Sequence, residues 1–105
     1  MIKELILSNA ELATLSNRVR LSDLQPGAQF VSIIDRAILQ VVTITPDAVF
    51  CNKVQDLYFN AIAKPKPVRV WYSSSAETYG LSGCWTIEEF KQLMQTKLQS
   101  LLANF

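Results

Sequence analysis

The sequence predicts an α+β domain: a small antiparallel β-meander or SH3-like barrel of about four strands, with a short N-terminal helix and a longer C-terminal amphipathic helix. Three observations lead there. Apolar, β-branched segments recur between residues 29 and 54, separated by short polar turns, as in strands paired in sequence order. A capping-box signature stands before them. A wide apolar stripe at helical spacing closes the chain after them.

The first helix is announced by Ser8-Asn9-Ala10-Glu11. A serine at the cap and a glutamate three residues on can satisfy two orphan backbone donors reciprocally. Leu7 and Leu12 occupy the positions of a hydrophobic staple, and Leu12, Leu15 and Val19 follow at helical spacing. The helix is expected over residues 9–17. Pro26-Gly27 then suits a type II bend.

Residues 29–34 read as the first strand, Asp35-Arg36 as a tight connection, and residues 37–44 as the second strand. Thr45-Pro46-Asp47-Ala48 is a turn, because proline presets the backbone dihedral at its second position. Residues 49–54 are the third strand. Both parities of residues 38–44 are mostly apolar, which predicts a central strand covered on both faces. Residues 56–63 are ambiguous between a helical turn and an irregular crossover. Lys64-Pro65-Lys66-Pro67 lacks two ladder donors, so it is expected to be extended and not a central strand. Residues 68–72 form the fourth strand, and a polar loop runs on to Gly83.

Thr86-Ile87-Glu88-Glu89 reads as a second capping box, stapled by Trp85 and Phe90. The stripe of the last helix comprises Phe90, Leu93, Met94, Leu98, Leu101, Leu102 and Phe105. Burying a charge at Met94 or Leu98 is therefore expected to cost several kcal/mol. The chain is taken as a single domain over residues 1–105, with an N-terminal helical part at 1–20, the sheet at 29–72 and the C-terminal helix at 86–104.

Half of the 105 residues are hydrophobic and 18% are charged, which excludes a disordered chain. The net charge is +1, too small for a strongly basic nucleic-acid coat. That charge is uneven. Residues 1–35 carry −1, residues 36–73 carry +3 and residues 74–105 carry −1. The apolar start is short and interrupted by Glu4, unlike a signal peptide. No stretch has the apolar length of a membrane span. A cytoplasmic protein is expected, with Cys51 and Cys84 as free thiols.

The catalytic kit is thin. There is no histidine. Gly80-Leu81-Ser82-Gly83 has its second glycine one place too early for a nucleophile elbow, and no imidazole to activate the hydroxyl. Cys84-Trp85 resembles, in two residues, the nucleophile segment of papain-like proteases. The cysteine and glycine upstream in that signature are replaced by Leu81 and Ser82, and the histidine base is absent. Two separated cysteines cannot complete a structural zinc site. The expectation is no enzyme, no metal and no cofactor.

One constellation is suggestive. Lys53, Lys64, Lys66 and Arg69 interleave with Tyr58, Phe59, Trp71 and Tyr72. Strand alternation sets Val68, Val70 and Tyr72 on one side and Arg69 with Trp71 on the other. The reading is a non-enzymatic binding or regulatory protein that acts through protein–protein interaction, a small adaptor or inhibitor of the kind mobile elements encode. Lys64, Lys66, Arg69 and Trp71 are its partner-binding residues. The alternative is a nucleic-acid-binding module using the basic and aromatic region 53–72. The leucine-rich end of the last helix adds an expectation of homodimerisation.

Overall fold

A computed structural model describes residues 7–103. Phe105, together with positions 1–6 and 104 of the expected segment boundaries, lies outside them. One helical turn, α1 (Asn9–Leu12), and a 3-10 turn at Leu21–Asp23 precede the strands β1 (Gln29–Ser32), β2 (Ala37–Ile44), β3 (Ala48–Asp56) and β4 (Ala61–Trp71). A second single turn, α2 (Ala76–Tyr79), leads to the short strand β5 (Cys84–Trp85) and the long helix α3 (Ile87–Leu102). The fold is α+β. Its sheet is an antiparallel meander in the order β4-β3-β2-β1-β5.

The sheet does not close into a barrel, and its two edges show why. On β4, Pro65 and Pro67 have no N–H to give to a further strand. The outer side of β5 is already occupied by the N-terminal segment. Val19 N–H donates to the Cys84 carbonyl at 3.1 Å, Thr86 N–H donates to Asn17 at 3.1 Å, and Arg18 bridges to Trp85. Neither edge offers the free ladder that closure needs.

Most local signals act as their chemistry requires. Ser8 N–H donates to the Glu11 carboxylate at 2.9 Å, and Glu11 N–H donates to Ser8 Oγ at 3.2 Å, a complete capping box. The helix stops after Leu12 and does not reach residue 17. Leu12 and Leu15 consequently pack on one side of the sheet while Val19 crosses to the other. Gly27, at φ 93°, closes the bend after Pro26, with Ala28 N–H donating to Gln25 at 2.9 Å. The ambiguous segment 56–63 is a hairpin. The Asp56 carboxylate accepts from Tyr58 N–H, Asn60 N–H and Asn60 Nδ2, and Phe59 adopts φ 64°.

The second capping box does not form. Thr86 caps α3 without a side-chain hydrogen bond. Glu89 reaches instead into the N-terminal segment. It accepts from Ser16 N–H at 2.8 Å, Asn17 N–H at 2.9 Å and Ser16 Oγ at 3.0 Å. Three donors held in one place outcompete the single backbone donor of a box.

Two cores lie on opposite sides of the sheet. One gathers Phe30, Leu39, Val41, Val49, Cys51, Leu81 and Cys84 around Val19 and Leu24. The other sets Val31 and Ile38 against Leu15 and Phe90 of α3. Neighbours Phe30 and Val31, and likewise Ile38 and Leu39, point to different cores. The double coverage expected of β2 is thus real at its start. It ends along the strand, where Val42 is 52% exposed. The helix stripe also opens along its length. Phe90 is buried, Met94 is half-buried, and Leu98 stands at 36% exposure, so Leu98 is not core. The residues 73–83 read as a polar loop hold α2 and the buried Ala76 and Leu81.

Candidate functional site

Helix α3 leaves β5 on the β1 side of the sheet and covers that half of one face. The other half of the same face, formed by the end of β2, the start of β3 and the end of β4, is bare. It holds an open groove of about 490 Å³ lined in part by Val42, Phe50, Asn52, Pro67, Arg69 and Trp71.

The register explains the grouping. Phe50 pairs with Thr43 on one side and Arg69 on the other. A bulge between Val41 and Thr43 leaves Val42 as an extra residue that turns its side chain toward the groove. On β4 the alternation holds as expected. Val68, Val70 and Tyr72 pack into the Phe30 core, and Arg69 and Trp71 project from the opposite face. Trp71 is 62% exposed. The Arg69 guanidinium carbon sits 4.7 Å from the Phe50 ring centroid and 5.0 Å from that of Trp71. Each such exposed contact is worth about 0.5–1 kcal/mol.

Of the four residues read as the partner site, the structure brings Arg69 and Trp71 together. Lys66 is placed elsewhere. It lies in β4, opposite Lys53, in an unbroken register that continues through Val68 and Val70. By parity it shares the valine side, away from Trp71. Lys64 belongs to the irregular stretch of β4, where the pairing jumps from Lys53↔Lys66 to Gln55↔Ala61. Both lysines are exposed, and both are strand residues, not loop residues. Sequence reasoning missed Val42 and Phe50. The parity of β3, with Val49 and Cys51 inward, marks Phe50 as an outward aromatic; nothing local marks the bulge at Val42.

Among the described residues, the positive charge of residues 36–73 forms no ion pair. Asp47 accepts from Thr45 Oγ1 at 2.9 Å. Asp56 is occupied by its own turn, and these three hydrogen bonds hold its carboxyl below the ordinary value against the opposing effect of burial. Among the described residues, Lys53, Lys64, Lys66 and Arg69 make no ion pair, and the Arg69 side chain makes no hydrogen bond.

The thiols lie in the Phe30 core. Burial, aided by the charge of Asp35, pushes Cys51 up to about 11 and Cys84 up to about 12. The position of Cys84 just before α3 does not depress its thiol, because burial dominates. Among the described residues no group of three or more His, Cys, Asp or Glu side chains could hold a metal ion. No helix among them is long and apolar enough to cross a membrane. A second concavity of about 240 Å³ lies under α3, between Leu12, Ile33, Leu57, Phe90 and Met94. It continues the Phe90 core, and the Asp56 carboxylate beside it is the one occupied by the turn. Comparison with protein-family models, with curated proteins and with solved structures finds no match to this chain.

Proposed function

We infer that this chain is a non-enzymatic binding or regulatory protein of the cytoplasm, acting on another protein through the bare face of β2, β3 and β4. The observation that carries the reading is Trp71, 62% exposed beside an arginine that has no counter-ion among the described residues. Trp and Arg are the residues most enriched at the energetic centres of protein interfaces. A small adaptor or inhibitor fits this surface, since the whole binding unit is a pair of aromatics, a cation and an apolar bulge.

The rival reading, a nucleic-acid-binding module, is supported by the same cations. Binding a single strand needs base-stacking aromatics and phosphate-neutralising cations along one groove. Here Lys53 and Lys66 fall on the opposite side of the ribbon from Trp71 and Phe50, which weakens that reading.

The test is capture from host lysate by the tagged wild type and by Arg69→Ala/Trp71→Ala. The double variant should melt with the wild type and lose the captured protein. A captured set that is identical for both proteins would remove this face from consideration.

A further inference from the structure

We propose that the groove beside Arg69 is a carboxylate receptor, and that its occupant is an extended acidic peptide segment of the protein partner. This rests on the protein-binding reading above and names the chemistry of its ligand.

The argument begins with the arginine. A guanidinium is a planar fork of five donors matched to a carboxylate, which it can bind through two parallel hydrogen bonds. The Arg69 fork is flanked by the rings of Phe50 and Trp71, neither of which offers its N–H groups a strong acceptor. No side-chain acceptor or carboxylate among the described residues reaches it. Two aromatic contacts restrict its rotamers before any ligand arrives, so less entropy remains to be lost on binding.

The surroundings select the sign of the ligand. The two acids of residues 36–73 are engaged locally, Asp47 with Thr45 and Asp56 with its turn. Lys53 and Lys66, on the far side of the same two strands, add unpaired positive charge behind the groove. A carboxylate entering here meets a positive field with no competing acid among the described residues.

The groove also selects shape. Val42 and Phe50 give it an apolar lining next to the cation, suited to an aliphatic or aromatic side chain adjoining the acid. Pro65 and Pro67 can donate no hydrogen bond, which disfavours adding the segment to β4 as a sixth strand. The segment therefore lies across the face, over Phe50 and Trp71.

The experiment is selection of a random dodecapeptide phage library on the immobilised full chain. The selected peptide is then synthesised with its acids intact or replaced by the amides, and titrated by fluorescence anisotropy against wild type, Arg69→Gln, Arg69→Lys and Trp71→Ala. Labelled oligo(dT) runs in parallel, and melting curves check each variant. Enriched peptides should carry Asp or Glu beside an apolar residue. Amide replacement and Arg69→Gln should each weaken binding about tenfold or more. Arg69→Lys, which keeps the charge and loses the fork, should fall between them and the wild type. Peptides that lack acids, or that ignore Arg69→Gln, overturn the carboxylate assignment; if they still need Trp71, the protein-binding reading survives without it. Failure to enrich any peptide, with oligo(dT) binding through Arg69, overturns both. Failure to enrich any peptide and no oligo(dT) binding overturns the carboxylate receptor.

Discussion

Replacing Glu89 by alanine should loosen the attachment of the N-terminal segment to α3. The carboxylate accepts three hydrogen bonds, from Ser16 N–H at 2.8 Å, Asn17 N–H at 2.9 Å and Ser16 Oγ at 3.0 Å. Hydrogen bonds to a charged group contribute roughly 1.5–3 kcal/mol each when buried. Ser16 and Asn17 are exposed, so water replaces much of what is lost, and the three together should amount to about 2 kcal/mol. For a domain of this size each kcal/mol moves Tm by roughly 4–8 °C, so Glu89→Ala should melt about 8–16 °C below wild type at neutral pH. Far-UV circular dichroism during heating reads this directly. The pH dependence gives a second check. Burial works to raise the Glu89 carboxyl, but the Asn17 and Ser16 donors outweigh it and hold it below the ordinary 4.5. A carboxyl depressed in the folded state stabilises fully above its unfolded value and loses that contribution as pH falls through the folded one. The gap between wild type and Glu89→Ala should thus be constant above pH 4.5 and close in stronger acid. Glu89→Gln keeps one acceptor oxygen, so it should lie between the two. Equal melting temperatures at neutral pH, or a gap that persists undiminished in strong acid, would refute the reasoning.

Other perturbations have definite outcomes. Gly80 sits at φ 84°, and an added Cβ would lie 2.7 Å from Arg18 Cβ and 3.0 Å from the Val19 carbonyl. Gly80→Ala should cost well over the ~1–3 kcal/mol of backbone strain alone, whereas Gly27→Ala, with open space around it, should cost only strain; urea midpoints compare them. Cys51 and Cys84 should ignore a thiol-reactive disulfide reagent until urea unfolds the chain. Their raised thiols contribute stability below the ordinary 9.0, lost as pH climbs toward 11 and 12, so alkaline melting should begin to fall above about pH 9. Leu98→Asp should change stability by less than about 1 kcal/mol, since Leu98 is 36% exposed. With Leu102 60% exposed further along α3, self-association through this face would make the wild type scatter as a dimer at high micromolar concentration and Leu98→Asp as a monomer. A wild type that scatters only as monomer at high micromolar concentration would dismiss self-association.

What the chain shows by itself is what depends on neighbours in sequence. The Ser8–Glu11 cap, the Pro26-Gly27 bend, the strand 37–44 and the apolar stripe of the last helix each involve residues a few positions apart. Their geometry follows from local sterics and hydrogen bonding. The α+β class was legible for the same reason, and so was the separation of Arg69 and Trp71 from the valines of β4, since parity is a local property. Tertiary structure decided the rest. Glu89 chose donors more than seventy residues away over the cap beside it, because three preplaced donors stabilise a carboxylate better than one. The hairpin at residues 57–60 carries no glycine, and its positive φ falls on Phe59, held by the Asp56 carboxylate, so no turn signal announced it. Continuation of β4 through Pro65 and Pro67 in an unbroken register set Lys66 on the side away from Trp71, and the bulge at Val42 brought a residue into the groove. Pairing register is fixed by partners distant in sequence, and one inserted residue reverses every side chain beyond it. Where α3 stops covering the sheet is likewise set by packing between distant elements, and that boundary is what leaves Phe50, Arg69 and Trp71 open to a partner.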